Sequence, residues 1–507
     1  MSYKVQLYQV RLFLMALARP PDMYDRAPEW DALARFATDR RPGATLGIVS
    51  GRRRQGKSFL LQPLCEATGG FYSDALEAEE PVALRRLGEQ LTTFTGAPAR
   101  LAFDSWTGAV DSLLDLGAED RPVTVVLDEF PYLAQASPAL PSLLQSALGP
   151  RTGRRLASRT RLILCGSALS FMGRLLSGDA PLRGRAGLDV VVQSFDYRQS
   201  ADFWGLAHDP DLAFRVHSVV GGTPAYRREF VQDDTPSGPG DFGAWVVRAV
   251  LNPFVPLFRE GRYLLAEEPN LRDRALYHSV LAVLADGHTS RGGIASRLER
   301  SSNELAHPLA VLEDTGFVTR SEDAFRKTRP VYRIAEPILR FYHAIMRPAW
   351  GELERPGRAG GVWARAQATF AAAVLGPHFE DVCRTWCARF ADETTTGPGV
   401  REVRSGVLND PKRRTTHEVD VVALGDRRDG RTRVLLFGEA KYGKVMGVGD
   451  LTRLEHVRNL LADRADFDAR EARLACFSAA GFTDELRAAD RAGRVLLVSL
   501  DRLYAGS

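Results

Sequence analysis

The chain has 507 residues, 45% of them hydrophobic and 26% charged, with a formal net charge of +4. That length exceeds what one core supports and points to three or four domains, while the composition excludes a disordered or fibrous chain. The mild positive charge permits nucleic-acid binding without arguing for it. Five scattered cysteines (Cys65, Cys165, Cys383, Cys387, Cys476) argue against a disulfide framework and fit a reducing, cytoplasmic setting. No run is long and apolar enough to span a bilayer, so no membrane association is expected.

Residues 1–25 read as an irregular leader. Its apolar run 12–18 is short and follows Arg11, which argues against a signal peptide. Residues 26–205 alternate apolar strand-like runs (45–50, 123–127, 161–165, 188–193) with helical patterns, the sign of a parallel α/β sheet. Residues 206–271 read as helical, broken by a Pro/Gly-rich loop at 233–241. In 272–340, three short helices (274–285, 292–298, 303–315) precede a hairpin framed by 316–320 and 331–334, which spells a winged helix. Residues 341–361 end in a Gly/Pro-rich stretch that reads as a linker. The last unit, 362–507, is expected to hold a helix (364–391), strands near 401–408, 417–423 and 432–438, a helix at 449–462, and a strand pair near 474–478 and 494–499.

Gly51-Arg52-Arg53-Arg54-Gln55-Gly56-Lys57-Ser58 fits the phosphate-binding loop G-x-x-x-x-G-K-[ST] at every fixed position. It lies between a strand-like run and a helix opening at Phe59. Glycines let backbone N–H groups wrap a phosphate, and the helix N-terminus adds its positive end. Gly51, Arg54, Gln55, Gly56, Lys57, Ser58 and Phe59 are therefore expected to cradle a nucleotide. Lys57 reaches for the β- and γ-phosphates, and Ser58 holds Mg²⁺. Lysine use supports this: only Lys4, Lys57, Lys327, Lys412, Lys441 and Lys444 occur among 67 basic residues, so a retained lysine marks a place for a compact charge.

The apolar run 123–127 ends in Asp128-Glu129. Asp128 is expected to hold the Mg²⁺ water shell and Glu129 to polarise the attacking water. The run 162–165 ends in Gly166-Ser167, where Ser167 is read either as a γ-phosphate sensor or as a plain strand cap. Arg185, in Pro181-Leu-Arg-Gly-Arg185, is read as an arginine finger acting within its own chain or across a homo-oligomer. Arg183 is the weaker candidate, and a solvent-exposed salt bridge is the alternative.

These segments, with Gly221-Gly-Thr-Pro-x-Tyr226, occur in the same order in the archaeal-type ATPases, a P-loop group of the AAA+/STAND kind. Over residues 26–340 the chain resembles that group. The resemblance implies an ATP-hydrolysing AAA-like core with a helical lid and a winged helix; the leader before residue 26 is not part of the pattern.

The last unit carries Glu380 in a helical run, Asp420 in an alternating strand, and Glu439-Ala-Lys441 at the end of the next strand. Residues two apart on a strand share a face, so Glu439 and Lys441 point the same way, and an adjacent strand would bring Asp420 beside them. Glu380, Asp420 and Glu439 are thus candidate Mg²⁺ (or Mn²⁺) ligands against a phosphodiester, with Lys441 orienting the water. Residues 370–480 resemble the PD-(D/E)xK nuclease superfamily, with Val rather than Pro before Asp420. The alternative is a nuclease-like fold without catalysis. Cys383 and Cys387, one helical turn apart, read as a packed helix face rather than a metal pair. Lys412-Arg413-Arg414 and Arg151/Arg154/Arg155 are basic loops suited to backbone phosphates or to solvent. The whole therefore reads as an α/β protein: a P-loop AAA-like parallel-sheet core, helical lid, winged helix and C-terminal restriction-endonuclease-like domain. The function expected is ATP-controlled cleavage of nucleic acid, most readily DNA, in DNA processing or defence. Two rivals stand beside it: a non-cleaving ATP-switched regulator and a DNA-translocating motor.

Overall fold

In a computed structural model, residues 17–117, 121–178, 180–266, 268 and 273–507 are described. The leader expectation for residues 1–16 lies outside them. The chain divides into two compact units, 1–194 and 195–507.

The first unit is built on a five-stranded, all-parallel sheet. Its strands are β1 (Thr45–Ser50), β2 (Phe71–Asp74), β3 (Val123–Asp128), β4 (Thr160–Gly166) and β5 (Ala186–Val191), in the order β2-β3-β4-β1-β5. Every residue of β3 and β4 is buried, as expected where helices cover both faces. Alternation divides the core in two. Val49, Val126 and Ile163 join Trp30, Leu60, Leu61 and Leu64 on one face. Ile48, Val125, Leu127, Leu162 and Leu164 join Trp106 and Phe71 on the other. Four of the five strands lie where the apolar runs place them, the last shifted to Ala186–Val191; the short β2, with only Phe71 and Ser73 buried, is the one the runs did not mark.

The second unit opens with a helical region that includes α2 (Pro210–Val220; α1 is the helix Lys57–Thr68 of the first unit). Helices Arg274–Ala285, Arg291–Arg297 and Ala306–Asp314 follow, then the antiparallel hairpin β6 (Val318–Asp323) and β7 (Arg326–Ile334). The stretch 351–361, expected as a linker, is largely helical, with helices Trp350–Leu353 and Ala359–Arg365. Pro356 and Gly357 (φ +79°) lie in the turn between them, while the other glycines fall inside the helices. The tryptophans at either end anchor it: Trp350 stacks on Phe258 at 4.6 Å, and Trp363 packs on Phe370 at 5.0 Å.

The C-terminal sheet is mixed, in the order β13-β12-β10-β9-β8, with β11 pairing on β10. Strands β8 (Glu402–Asp410), β9 (Thr415–Arg428) and β10 (Arg431–Lys441) form an antiparallel meander. Strands β12 (Arg473–Ser478) and β13 (Leu496–Ser499) continue it in parallel, and β11 spans Phe467–Asp468. Helix α3 (Gly376–Arg389) precedes the sheet, and α4 (Val448–Ala462) crosses from β10 to β12. Cys383 and Cys387 are both fully buried in α3, a packed face as the sequence suggests.

The wing is not a free hairpin. Ala324 N–H donates to Ser405 O at 2.9 Å, and Val407 N–H donates to Asp323 Oδ2 at 2.9 Å. Phe325, at the hairpin turn, packs between Phe437 and Phe467. A side chain at Gly406 would meet the Phe325 ring at 2.6 Å. The wing tip is thus part of the C-terminal core.

Candidate functional sites

Strand order places the first site. β4 lies between β1 and β3, and the turns leaving these three parallel strands gather at their carboxyl ends, where α/β sheets bind ligands. The phosphate-loop sequence leaves β1 through Gly51, whose φ of +154° is within reach of few residues but glycine. A Cβ there would also meet Val192 O at 2.6 Å. Arg54 (φ +68°) and Gly56 (φ +88°) complete the loop's reversal into α1. Gln55 is buried, and its Oε1 accepts from Arg52 N–H at 2.9 Å, bracing the loop from within. Phe59 stands exposed on the first turn of α1.

Lys57 is buried, and its Nζ donates to Gly51 O at 2.8 Å and Arg52 O at 2.9 Å. Burial lowers its pKa, yet both acceptors are neutral carbonyls, so an anion would be the stronger partner. Ser58 Oγ donates to Asp128 Oδ2 at 2.8 Å. Tyr72 OH donates to the same oxygen, and Glu129 N–H donates to Asp128 Oδ1 at 2.9 Å. Burial pushes the Asp128 carboxyl up, but hydrogen bonds from Cys165, Tyr72, Ser58 and Glu129 outweigh it and hold the group below its usual range. Glu129 sits in left-handed backbone (φ +51°), and Ser167 Oγ lies 3.0 Å from both of its carboxylate oxygens. A non-glycine residue with positive φ costs roughly 1 kcal/mol or more and marks a place where side-chain direction matters. Tyr72 is the member that no motif announced.

Arg185 is half-buried, and among the described residues its guanidinium has no hydrogen-bond or ion-pair partner. Arg183 instead donates to Gly178 O at 2.7 Å. In the other basic loop of this unit, Arg154 is committed to Asp111 and Asp115.

The second site lies in the C-terminal sheet. Arg404 of β8 faces Val422 of β9, and Gly406 faces Val419. Two steps on β8 thus match three on β9, and the extra residue falls at Asp420–Val421. Such bulges re-aim side chains. Asp420 is buried, and its Oδ2 accepts from Ala440 N–H at 2.8 Å, placing it against the middle of Glu439-Ala440-Lys441. Lys441 Nζ lies 2.8 Å from Glu439 Oε1, and Arg453 of α4 pairs with Glu439 Oε2. From α3, Glu380 is pushed up to about 7, by burial first and then by Asp420. Arg384 joins the two, donating to Asp420 O at 2.7 Å and lying 3.5 Å from Glu380 Oε2. Among the described residues, these carboxylates do not form a group whose ligand atoms all lie within 4.8 Å; Asp410, His417 and His456 do.

Three sets of contacts around this cluster escaped the sequence reading. Arg333 and Arg340 reach Asp381, beside Glu380, at 3.9 and 3.2 Å. Tyr442, beside Lys441, donates to Asp211 Oδ1 at 2.7 Å and accepts from Arg215 Nε at 3.1 Å, both on α2. His217 of α2 and His378 of α3 share a 2.9 Å hydrogen bond. None has a spacing motif, because each pairs elements far apart in sequence.

No family model and no curated protein matches the chain. Among solved structures it is similar to a Walker-type ATPase of Pyrococcus abyssi, at 21% identity over 65% of this chain and 98% of that one, with a TM-score of 0.48. It is also similar to the Aeropyrum pernix ORC2 protein in ADPNP–ADP complexes, at 16% identity over 69% of this chain and 97% of that one, with a TM-score of 0.41. The Aeropyrum pernix ORC1 protein in complex with DNA matches at 14% identity over 66% of this chain and 95% of that one, with a TM-score of 0.31. Likenesses at this level assign no activity.

Proposed function

We propose that the protein binds and hydrolyses ATP with Mg²⁺, and that nucleotide state controls a metal-dependent nucleic-acid-cleaving site in the C-terminal sheet. The observation that carries the first half is the Ser58–Asp128 contact of 2.8 Å beside the buried Lys57. It joins the first turn of α1 to the end of β3, the two sides between which a Mg²⁺–triphosphate would sit. The residues fit the ligand: a glycine-lined turn, a buried ammonium on weak acceptors, and an ionised carboxylate at a hydroxyl. Bound Mg-ATP supplies the phosphoanhydride bond to be cut.

The chain's own residues then divide the work. Lys57 exchanges loop carbonyls for phosphate oxygens. Ser58 and Asp128 would hold the ion, and Glu129 would orient the attacking water. Ser167 Oγ donates to the Glu129 carboxylate at 3.0 Å; were that hydroxyl turned to a γ-phosphate, the glutamate would be released. Arg185, whose guanidinium has no partner among the described residues, is the candidate to meet that phosphate, from the same chain or from a second copy.

Cleavage by the second site is supported by Asp420 seated on the amide between Glu439 and Lys441. With Glu380 this makes a carboxylate-and-lysine set suited to Mg²⁺ or Mn²⁺ and a polynucleotide, with DNA the favoured substrate. Control is supported by the three contacts around it. Tyr442 binds α2, His378 binds His217, and Asp381 is gripped by arginines of the wing and the helix after it. A shift of α2 therefore pulls on both flanks of the cluster.

The test is equilibrium binding of a fluorescent ATP analogue with Mg²⁺. Lys57→Ala removes a charge-assisted contact of about 1.5–3 kcal/mol, or roughly 10- to 150-fold in Kd. Equal affinity in wild type and variant would remove the nucleotide from the account.

A further inference from the structure

We propose that Asp410, His417 and His456 form a site for one divalent transition-metal ion of the zinc class, separate from the carboxylate cluster. Asp410 ends β8, His417 lies opposite Leu408 at the start of β9, and His456 comes from the middle of α4. Three elements thus aim ligands at one point. His456 Nε2 lies 2.7 Å from Asp410 Oδ2, and His417 Nε2 lies 3.6 Å from the same oxygen. One ligand atom from each residue falls within 4.8 Å of the others. Tetrahedral zinc with bonds of about 2.0–2.1 Å separates its ligand atoms by roughly 3.3 Å, so small rotations suffice.

A hydrogen-bonded network alone leaves a residue unexplained. Asp410 Oδ2 takes one imidazole N–H at bonding distance, and the buried His417 Nε2 is left without a hydrogen-bond partner. Buried ring nitrogens are normally satisfied. An ion between the three accounts for both rings facing one carboxylate. Two imidazoles and one carboxylate are a donor set that suits zinc and leaves a fourth position open for water.

The surroundings fit. Asp410 is 1% exposed, and its other oxygen accepts from Arg413 N–H at 3.0 Å, which fixes the carboxylate as outer-shell partners of metal ligands do. The Arg413 guanidinium is 3.9 Å from Oδ2 but 64% exposed, free to swing into solvent. Asp420 lies three residues beyond His417, about 10 Å along the strand, so the two sites are distinct. The ion pins the β8–β9 turn, with Lys412, Arg413 and Arg414, to the helix whose Arg453 holds Glu439. The inference does not depend on nuclease activity.

The test uses the full chain, freed of metal by chelation and titrated with Zn²⁺ and Co²⁺. Wild type should take up one equivalent of Zn²⁺, give a Co²⁺ absorption band, and gain thermal stability on loading. Asp410→Asn keeps the shape and the Arg413 contact, and should weaken Zn²⁺ affinity at least tenfold. The double variant His417→Gln/His456→Gln should lose the equivalent and the band. Glu439→Gln should keep both. No stoichiometric uptake by wild type, or the same uptake and spectrum in the double variant, would overturn the assignment.

Discussion

Acidification offers a quantitative test of how the helical region is fastened to the C-terminal sheet. His217 on α2, half-buried, lies beside the buried His378 of α3. Burial pushes His217 down to about 4, and His378 also falls below its ordinary value. A histidine depressed from about 6.5 favours the folded state while neutral. That contribution is complete above pH 6.5 and lost as pH falls toward 4, because the unfolded chain binds the proton first. At about 1.4 kcal/mol per pH unit, His217 alone costs about 2 kcal/mol between pH 7 and pH 5. Glu380 works in the opposite sense, since its raised carboxyl favours the fold at lower pH. The total slope is therefore mixed, and the difference between two proteins is the useful quantity. Urea unfolding of wild type and His217→Gln at pH 7 and pH 5 isolates it, because Gln does not titrate. Wild type should lose about 2 kcal/mol more than the variant over that interval. Identical pH dependence would refute the claim that this pair is held neutral by burial.

Two further substitutions separate roles assigned above. Glu129→Gln leaves Lys57 and the Ser58–Asp128 contact in place. Its ATP turnover should fall about 10²- to 10³-fold while affinity stays within about threefold, as steady-state hydrolysis and analogue binding would show. Phe325→Ala empties the wing tip's place between Phe437 and Phe467, at a cost of about 3–5 kcal/mol. Hydrogen exchange at 405–407 should accelerate first, since those backbone groups hold the hairpin.

The proposed nucleotide site was legible because its residues are local. The residues from Gly51 to Ser58 are contiguous, and Asp128, Glu129 and Ser167 each end an apolar run that reads as a buried strand. Alternation and run length fix those strand ends, and parallel packing brings them together. The C-terminal residues were legible as a series, but their geometry was not. The bulge at Asp420–Val421 depends on pairing with β8, and the hold of Arg453 on Glu439 depends on the crossing of α4. The wing shows the same limit. Its three helices and hairpin follow the sequence pattern, but the occupant of its tip does not, because Phe325 reads as any apolar turn residue until β8 and β10 are beside it. Glycine and proline misled at 351–361, where the flanking tryptophans outweigh them.

The account's central claim is that nucleotide at the β1–β3–β4 strand ends governs chemistry at Glu439 and Lys441. The most direct measurement is Mn²⁺-dependent cleavage of circular and single-stranded DNA, with and without ATP, by wild type, Lys57→Ala and Glu439→Gln. Wild-type cleavage should change at least tenfold on adding ATP, Lys57→Ala should cleave at one rate regardless of ATP, and Glu439→Gln should not cleave. Cleavage by wild type that ignores ATP, or residual cleavage identical in all three proteins, would contradict it.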